Sequence, residues 1–421
     1  MKNRTCFFVA IRYLAGRAHE GGRYLRGAAA GIAVSLIPII VTLIVADGMI
    51  RGIIDRYLEL GTGHLQVFSY LDSEGLEGIA GRIQRIDGVR GVWTEQRGTG
   101  VLVGKKGKTG ASVRAIEPSF WRDQGSLQYL KLVAGTAQPE SGRDMLLGES
   151  LAASIGAEIG DTVRLMTLIT TSEGRNIPRV SAFTVSGIVS SGYHELDALW
   201  CIITHDEGRR IFTSQSASSS LIIKIDDPYS RADAFSWSLY PILGAGYNVY
   251  TWKELMRSQY SSYESTRQML LFIMALIVIV AAVNVSSATS MLVIERQRDI
   301  AVLKVTGAGV NDVTGVFLWG SLLTGLCGAV IGITAGLLLG YFINPLIRSL
   351  EKGLSFLTGL FNGSEVKILD PGFYLETIPI IIDWPTVFLI GCFTILCSAA
   401  ASWIPARRAG KLKPMELLRK Y

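Results

Sequence analysis

Four apolar runs, each close to or above the ~20 residues that a helix needs to cross a bilayer core, decide most of what this chain can become. They lie at about 27–46, 269–294, 315–343 and 385–404. In lipid no water is at hand to satisfy peptide N–H and C=O groups, so each run is read as a helix that bonds its own backbone. The first run, GAAAGIAVSLIPIIVTLIVA, has its small residues Ala28–Ala30 ahead of the apolar stretch and not behind it. It is too long for a signal peptide and reads as an uncleaved anchor. The predicted fold class is therefore a membrane protein: four transmembrane α-helices, with a large α+β extracytoplasmic domain between helices 1 and 2.

Charge orients these spans. The formal net charge of +6 is concentrated beside the membrane and does not suggest nucleic acid. Lys2, Arg4, Arg12, Arg17, Arg23 and Arg26 precede the first run, and Arg407, Arg408, Lys411, Lys413, Arg419 and Lys420 follow the last. Basic flanks stay on the cytoplasmic side, so both termini are expected inside, and four crossings satisfy that. The expected organisation is a basic N-terminus (1–26), transmembrane helix 1 (27–50), an extracytoplasmic α+β domain (51–268) and helix 2 (269–294). A cytoplasmic loop (295–314), helix 3 (315–343), an extracytoplasmic loop (344–384), helix 4 (385–404) and a cytoplasmic C-terminus (405–421) complete it. Arg296, Arg298 and Lys304 in the inner loop agree with this orientation. Of five cysteines only Cys201 falls in the external domain, so no disulfide is expected within it.

Polarity inside the spans is sparse. Pro38 removes a backbone donor midway along helix 1; it is either a tolerated membrane proline or a bend that opens a lateral gap. Gly328, Gly332, Gly336 and Gly340 form three successive G-x-x-x-G steps on one face of helix 3, a groove for close helix packing. Spacing leaves open whether the partner helix belongs to this chain or to a second copy. Asn284, Ser286, Ser287 and Thr289 on helix 2 are expected to hydrogen-bond between helices. No charged side chain lies deep in a span, which counts against a proton-coupled carrier or an ion channel.

The stretch 51–268 shows short alternating runs bounded by Gly, Pro, Asp or Ser: HLQVFSY (64–70), TGVLVG (99–104), DTVRLMTLI (161–169), FTVSGIV (183–189) and LIIKID (221–226). These read as strands. Helices are expected near 76–86, 148–155 and 230–239. LVGKKGKT (102–109) mimics a phosphate loop but has Leu102 where G-x-x-x-x-G-K-[ST] needs glycine, so it reads as a turn and nucleotide binding by this chain is not expected. His19, His64, His194 and His205 fit no metal spacing, and only His194 sits near carboxylates. No catalytic residue, metal or cofactor is expected. The segment Thr170–Arg179, with Gly174, Ile177 and Pro178, reads as an exposed loop, either an ordinary excursion or a docking element.

In the inner loop, ERQRDIAVLKVTGAGVND (295–312) places Ile300, Leu303 and Val302 on one side of a short helix ended by Gly307. That side suits equally a groove in a soluble partner or the lipid surface. Together with PARRAGKLKPMELLR (405–419), this loop resembles the FtsX/MacB-like ABC permeases. FTVSGIVSSGYHELDALW (183–200), VNVSSATSMLVIERQRDIAVLK (283–304) and YLETIPIIIDW (374–384) resemble the lipoprotein-releasing permeases, the LolC/LolE group.

The resemblance implies a MacB-like periplasmic core domain of two lobes, one from about 51–115 with 226–268 and the other from about 116–225. It implies a permease subunit of an ABC transporter in the bacterial inner membrane, working with a second permease subunit and an ATPase dimer that binds ATP and Mg. The substrate would be a lipoprotein drawn from the outer leaflet for outer-membrane targeting. Glu295, Arg296, Asp299, Ile300, Leu303 and Gly307 would couple to the ATPase. Ile40, Leu43, Ile44, Met269, Phe272, Ile273 and Leu276 would line an acyl-chain cleft. Gly174, Ile177 and Pro178 would belong to a hook that recruits a periplasmic carrier. Export of another amphiphile or peptide, and control of an external cell-wall hydrolase, are the rival readings of the same fold.

Overall fold

The first apolar run folds as a single helix, Gly21–Arg56, with Pro38 inside it. In the computed structural model, which describes residues 7–12, 21–69, 74–170, 176–212, 217–244, 246–359, 375 and 377–412, this helix ends in a π-helical turn, Tyr57–Thr62. Gly63 stops it: its φ of 69° is left-handed, and a Cβ there would run into Ile222 Cγ2. Among the described residues, four helices are long and apolar enough to cross a membrane, spanning Arg23–Thr62, Arg257–Glu295, Val310–Tyr341 and Trp384–Lys411. They are called spans 1 to 4 below. Ser402 divides the last into Trp384–Ala401 and Trp403–Lys411.

The chain forms two compact units. One comprises Met1–Gly48, Tyr263–Val366 and Ile378–Tyr421; the other comprises Met49–Ser262 and Lys367–Thr377. In the first, Ile32, Leu36, Ile40 and Ile44 of span 1 share an apolar core with Met274, Val278 and Val285 of span 2, Ala329 of span 3 and Val387 and Ile390 of span 4. The stretch 344–384, expected as a loop, contains a further helix, Ile343–Gly359. Its apolar residues recur at Leu346, Leu350 and Leu354, one helical turn apart, as a helix with one apolar side requires.

Among the described residues, the second unit is built on ten strands: β1 (Leu65–Ser69), β2 (Val89–Val103), β3 (Lys108–Ile116), β4 (Lys131–Gly135), β5 (Asp144–Gly148), β6 (Thr162–Thr170), β7 (Asn176–Ser190), β8 (Trp200–Thr204), β9 (Ala217–Ile225) and β10 (Tyr247–Thr251). Their order is β10-β1-β9-β2-β3-β8-β5-β7-β4. Strand β6 pairs with β7 on one side and with the far end of β2 on the other, Val101 opposite Met166. The strands β2-β3-β8-β5-β7-β6 thus close into a ring. Inside it, alternate residues Val113, Met145, Leu147, Val163, Leu165, Phe183 and Val185 form one apolar core. LVGKKGKT is the β2–β3 hairpin turn.

One lobe boundary needs correction. Residues 217–225 were expected in the lobe 116–225, yet β9 lies between β1 and β2, pairing Val67 with Leu221 and Thr94 with Leu221 from the other side. The physical reason is burial: LIIKI is apolar on both faces, with every residue from Ser220 to Ile225 buried, as a central strand requires. Lys224, in that strand, is fully buried but paired with Glu59 and, at 2.8 Å, with Asp123. On β2, Glu95 accepts a forked pair of bonds from Arg114, at 2.7 and 2.8 Å. Burial alone would raise the Glu95 carboxyl, but Arg114 and then Arg97 beside it hold it at about 2.

Candidate functional site

Between spans 2 and 3 the chain forms a short helix, Gln297–Val305. Gly307, at φ 97°, ends it in a left-handed turn. The Gly307 N–H donates to Lys304 O and the Ala308 N–H to Leu303 O at 2.9 Å, the Schellman pattern that glycine makes possible. Arg296 Nη1 donates to Asp299 Oδ2 at 3.1 Å across the first turn.

The face of this helix differs from the expected one. Ile300 is buried, packed with Leu25 of span 1, Leu292 and Val293 of span 2, Val313 and Phe317 of span 3 and Ala406 and Ala409 of span 4. It holds the helix onto the bundle and cannot also anchor a partner. Leu303 is half-buried, while Val302 and Val305 are 55% and 68% exposed. The outward face runs through Glu295, Arg298, Val302 and Val305. Ile300, Ala301, Val302, Leu303 and Val305 are apolar almost all round, so periodicity alone does not say which side faces inward. Lys304 Nζ donates to Leu412 O at 2.6 Å, fastening the other end to the C-terminal segment.

The glycine face of span 3 meets span 1 of the same chain. A Cβ added at Gly328 would lie 2.8 Å from Ala29 O and from Ile32 Cβ; at Gly332, 2.8 Å from Leu36 Cβ; at Gly336, 2.7 Å from Ile40 Cβ. At Gly340 it would lie 2.5 Å from Ile44 Cδ1. This corrects the expected cleft. Ile40, Leu43 and Ile44 are almost wholly buried in that contact and within the bundle core, because a glycine groove is filled by the side chains opposite. Met269, Phe272, Ile273 and Leu276 of span 2 are exposed instead. With Val280, Val283, Asn284 and Ser287 they make a continuous stripe at helical spacing. Span 1 contributes its own exposed row, Val34, Pro38 and Thr42.

Of the polar residues on span 2, Thr289 links helices: its Oγ1 lies 3.0 Å from Ser321 Oγ on span 3 and 3.2 Å from Ser402 Oγ in span 4. Asn284 and Ser287, expected to do the same, are exposed on the open stripe. At the other end of span 2, Arg267 Nε donates to Asp47 Oδ1 at 2.9 Å, and the same guanidinium reaches Asp383. Thr386 donates to Asp383 at 2.6 Å. This clasp ties spans 1, 2 and 4 together. Its three members lie just outside the apolar runs and more than 100 residues apart in the chain, so no local pattern in the sequence marks it.

In the second unit, Ile177 and Pro178 belong to β7 rather than to a loop; Pro178 lies opposite Leu168 on β6. Gly174 lies outside the described residues. Leu168, Ile177 and Val180 near the end of this hairpin are exposed apolar side chains, 50–58% accessible. His194, the histidine near carboxylates, has its Nδ1 2.7 Å from Ser150 Oγ.

Two family models match the chain: an FtsX-like permease C-terminal model over residues 271–414 and a MacB-like periplasmic core domain model over residues 27–236. The lipoprotein-releasing system transmembrane protein LolC of Neisseria meningitidis is 27% identical over 98% of this chain and 98% of its own length. LolC of Xylella fastidiosa is 27% identical over the full length of both chains. LolE of Haemophilus influenzae is 23% identical over 98% of this chain and 99% of its own.

Proposed function

Since this chain belongs to the FtsX/MacB-like ABC permeases, with LolC- and LolE-type relatives along its whole length, we propose that it draws lipoproteins out of the membrane using work done by a separate ATPase subunit. The observation that carries this reading is the Gln297–Val305 helix. It is anchored to all four spans through Ile300 on one side and offers Arg298, Val302 and Val305 on the other. A helix clamped on one face and open on the other can transmit a push from a soluble partner into the bundle. The ATPase, holding ATP and Mg, docks on the open face. The basic flanks support a cytoplasmic position for this helix and both termini.

The substrate path follows the open stripe of span 2. Asn284 is polar, deep in the span and uncovered by the chain's own helices. Uncharged polar groups at that depth usually face protein or a cavity, which supports an inward-facing stripe in the assembled transporter. A second permease subunit faces it, and the acyl chains pass between. Burying each CH₂ there is worth ~0.8 kcal/mol, and leaving the bilayer costs as much, so ATP must supply the net work. The β6–β7 hairpin, with Leu168, Ile177 and Val180 exposed, is the surface on which a periplasmic carrier docks to receive the cargo.

Photo-crosslinking side chains at Val280 and Val283 test the path. They should capture a triacylated lipoprotein in the membrane, whereas the same probe at Ile40 should capture none. Capture at Ile40 and not at Val280 or Val283 would overturn the assignment.

A further inference from the structure

Near the end of the bundle that carries the Gln297–Val305 helix, spans 3 and 4 form an open recess of about 320 Å³, lined by Leu318, Trp319, Leu322, Ala399, Ala400 and Trp403. The lining is almost wholly apolar. Phe7, in the short segment 7–12, packs edge-on against Trp319 with ring centroids 5.3 Å apart. A volume in this range suits a small-molecule or acyl-chain site and exceeds the gaps of ordinary helix packing.

What lies beyond the recess identifies its occupant. Trp403 opens the helix Trp403–Lys411. That helix is held against the start of span 3: Ala406 and Ala409 are fully buried, and a Cβ at Gly410 would lie 2.6 Å from Val310 O and Thr314 Oγ1. Its other face carries Trp403, Arg407 and Lys411 at successive four-residue steps, with Arg408 beside them, all exposed. Residues four apart lie one above the other on a helix, so an apolar recess leads onto a row of cations. Tryptophan favours the level of the lipid headgroups, which puts that row where phosphates lie.

We propose that this recess is a binding site for one anionic phospholipid. An acyl chain enters between Trp319 and Trp403, and the headgroup phosphate is held by Arg407, with Arg408 and Lys411 adding charge. The recess is lined by spans 3 and 4, whereas the open stripe lies on span 2, so it is a lipid cofactor site and not part of the cargo path.

The test uses the full chain reconstituted in vesicles containing bromine-labelled phosphatidylglycerol or, at equal mole fraction, bromine-labelled phosphatidylcholine. Tryptophan quenching is the readout, with Trp319→Phe/Trp403→Phe subtracted to isolate these two rings. Phosphatidylglycerol should be preferred by about fivefold or more, the factor one effective cation supplies beside an anionic lipid. Arg407→Gln/Arg408→Gln/Lys411→Gln should abolish the preference and leave quenching itself in place. Arg407→Lys/Lys411→Arg, which keeps every charge, should retain it, guarding against a variant that merely misfolds. Equal quenching by the two lipids would reduce the recess to ordinary lipid contact and overturn the proposal. So would a preference that survives loss of the three charges. Absence of quenching by either lipid would mean that protein, a second copy or the chain's own terminus, fills the recess, and would overturn it as well.

Discussion

Replacing Gly332 by alanine probes the contact between spans 1 and 3 with a single methyl group. The added Cβ would lie 2.8 Å from Leu36 Cβ and 2.9 Å from both Ala33 Cα and Ala33 O. Two of these three atoms are backbone, so no rotamer change relieves the clash. Carbon atoms settle at about 3.5–4.0 Å, so the helices must part by at least about 0.7 Å. A gap of that size forfeits a quarter to a half of the dispersion energy of neighbouring contacts, and overpacking of this kind costs about 1–3 kcal/mol. Alanine also improves helix propensity by about 1 kcal/mol, which would mask part of the loss. Gly320→Ala, on the same helix, supplies the control: a Cβ there meets nothing within 4 Å, so it keeps the propensity gain without the clash. Unfolding of the two variants in mixed detergent–SDS micelles should therefore differ by about 1–3 kcal/mol, with Gly332→Ala the weaker. Equal stability would refute the packing argument.

On the Gln297–Val305 helix, Val302→Asp should leave bundle stability within about 0.5 kcal/mol but abolish co-purification of the ATPase subunit, whereas Ile300→Ala should destabilise the bundle by about 2–5 kcal/mol. Pull-down and micelle unfolding separate the two effects. In the second unit, the Glu95 carboxyl sits below its ordinary value of 4.5, at about 2. A lowered folded value means that the stability it contributes is complete above about 4.5 and is lost as pH falls toward 2. Hydrogen exchange of β2 amides in the full chain should show this loss, and Glu95→Gln should remove that pH dependence while costing about 3–5 kcal/mol through the stranded Arg114. Arg267→Gln should release Asp47 and Asp383 from each other, measured as a longer distance between spin labels on spans 1 and 4; an unchanged distance would show that the clasp does not hold them.

Local rules made the spans legible, because length and apolarity suffice for a helix in lipid. The glycine row was legible as a groove, but not its occupant: Ile32, Leu36, Ile40 and Ile44 lie about 300 residues away, and their four-residue spacing fits a buried face as well as a cleft lining. That ambiguity misplaced three of the cleft residues. The turn at Gly307 was readable because only a left-handed end lets Ala308 bond back to Leu303. Ile300 was misassigned because a helix apolar on most sides has no sequence signature for inward and outward. Strand β9 shows the same limit in the sheet: its short apolar run marks a strand, but pairing with β1 and β2, more than 110 residues earlier, is decided by packing. The Arg267 clasp needed three dimensions, since none of its members is unusual where it stands in the chain.

The central claim is that motion of a separate ATPase enters through the open face of the Gln297–Val305 helix and drives lipoprotein out of the bilayer. Its most direct test is release of a labelled triacylated lipoprotein from proteoliposomes holding this chain, its partner permease and the ATPase, with the parent chain compared with Arg298→Glu/Val302→Asp. ATP-dependent release by the parent, and none by the variant despite an intact bundle, is the predicted result. Release by the variant at the parent's rate, or ATP-dependent release from liposomes lacking this chain, would contradict the account.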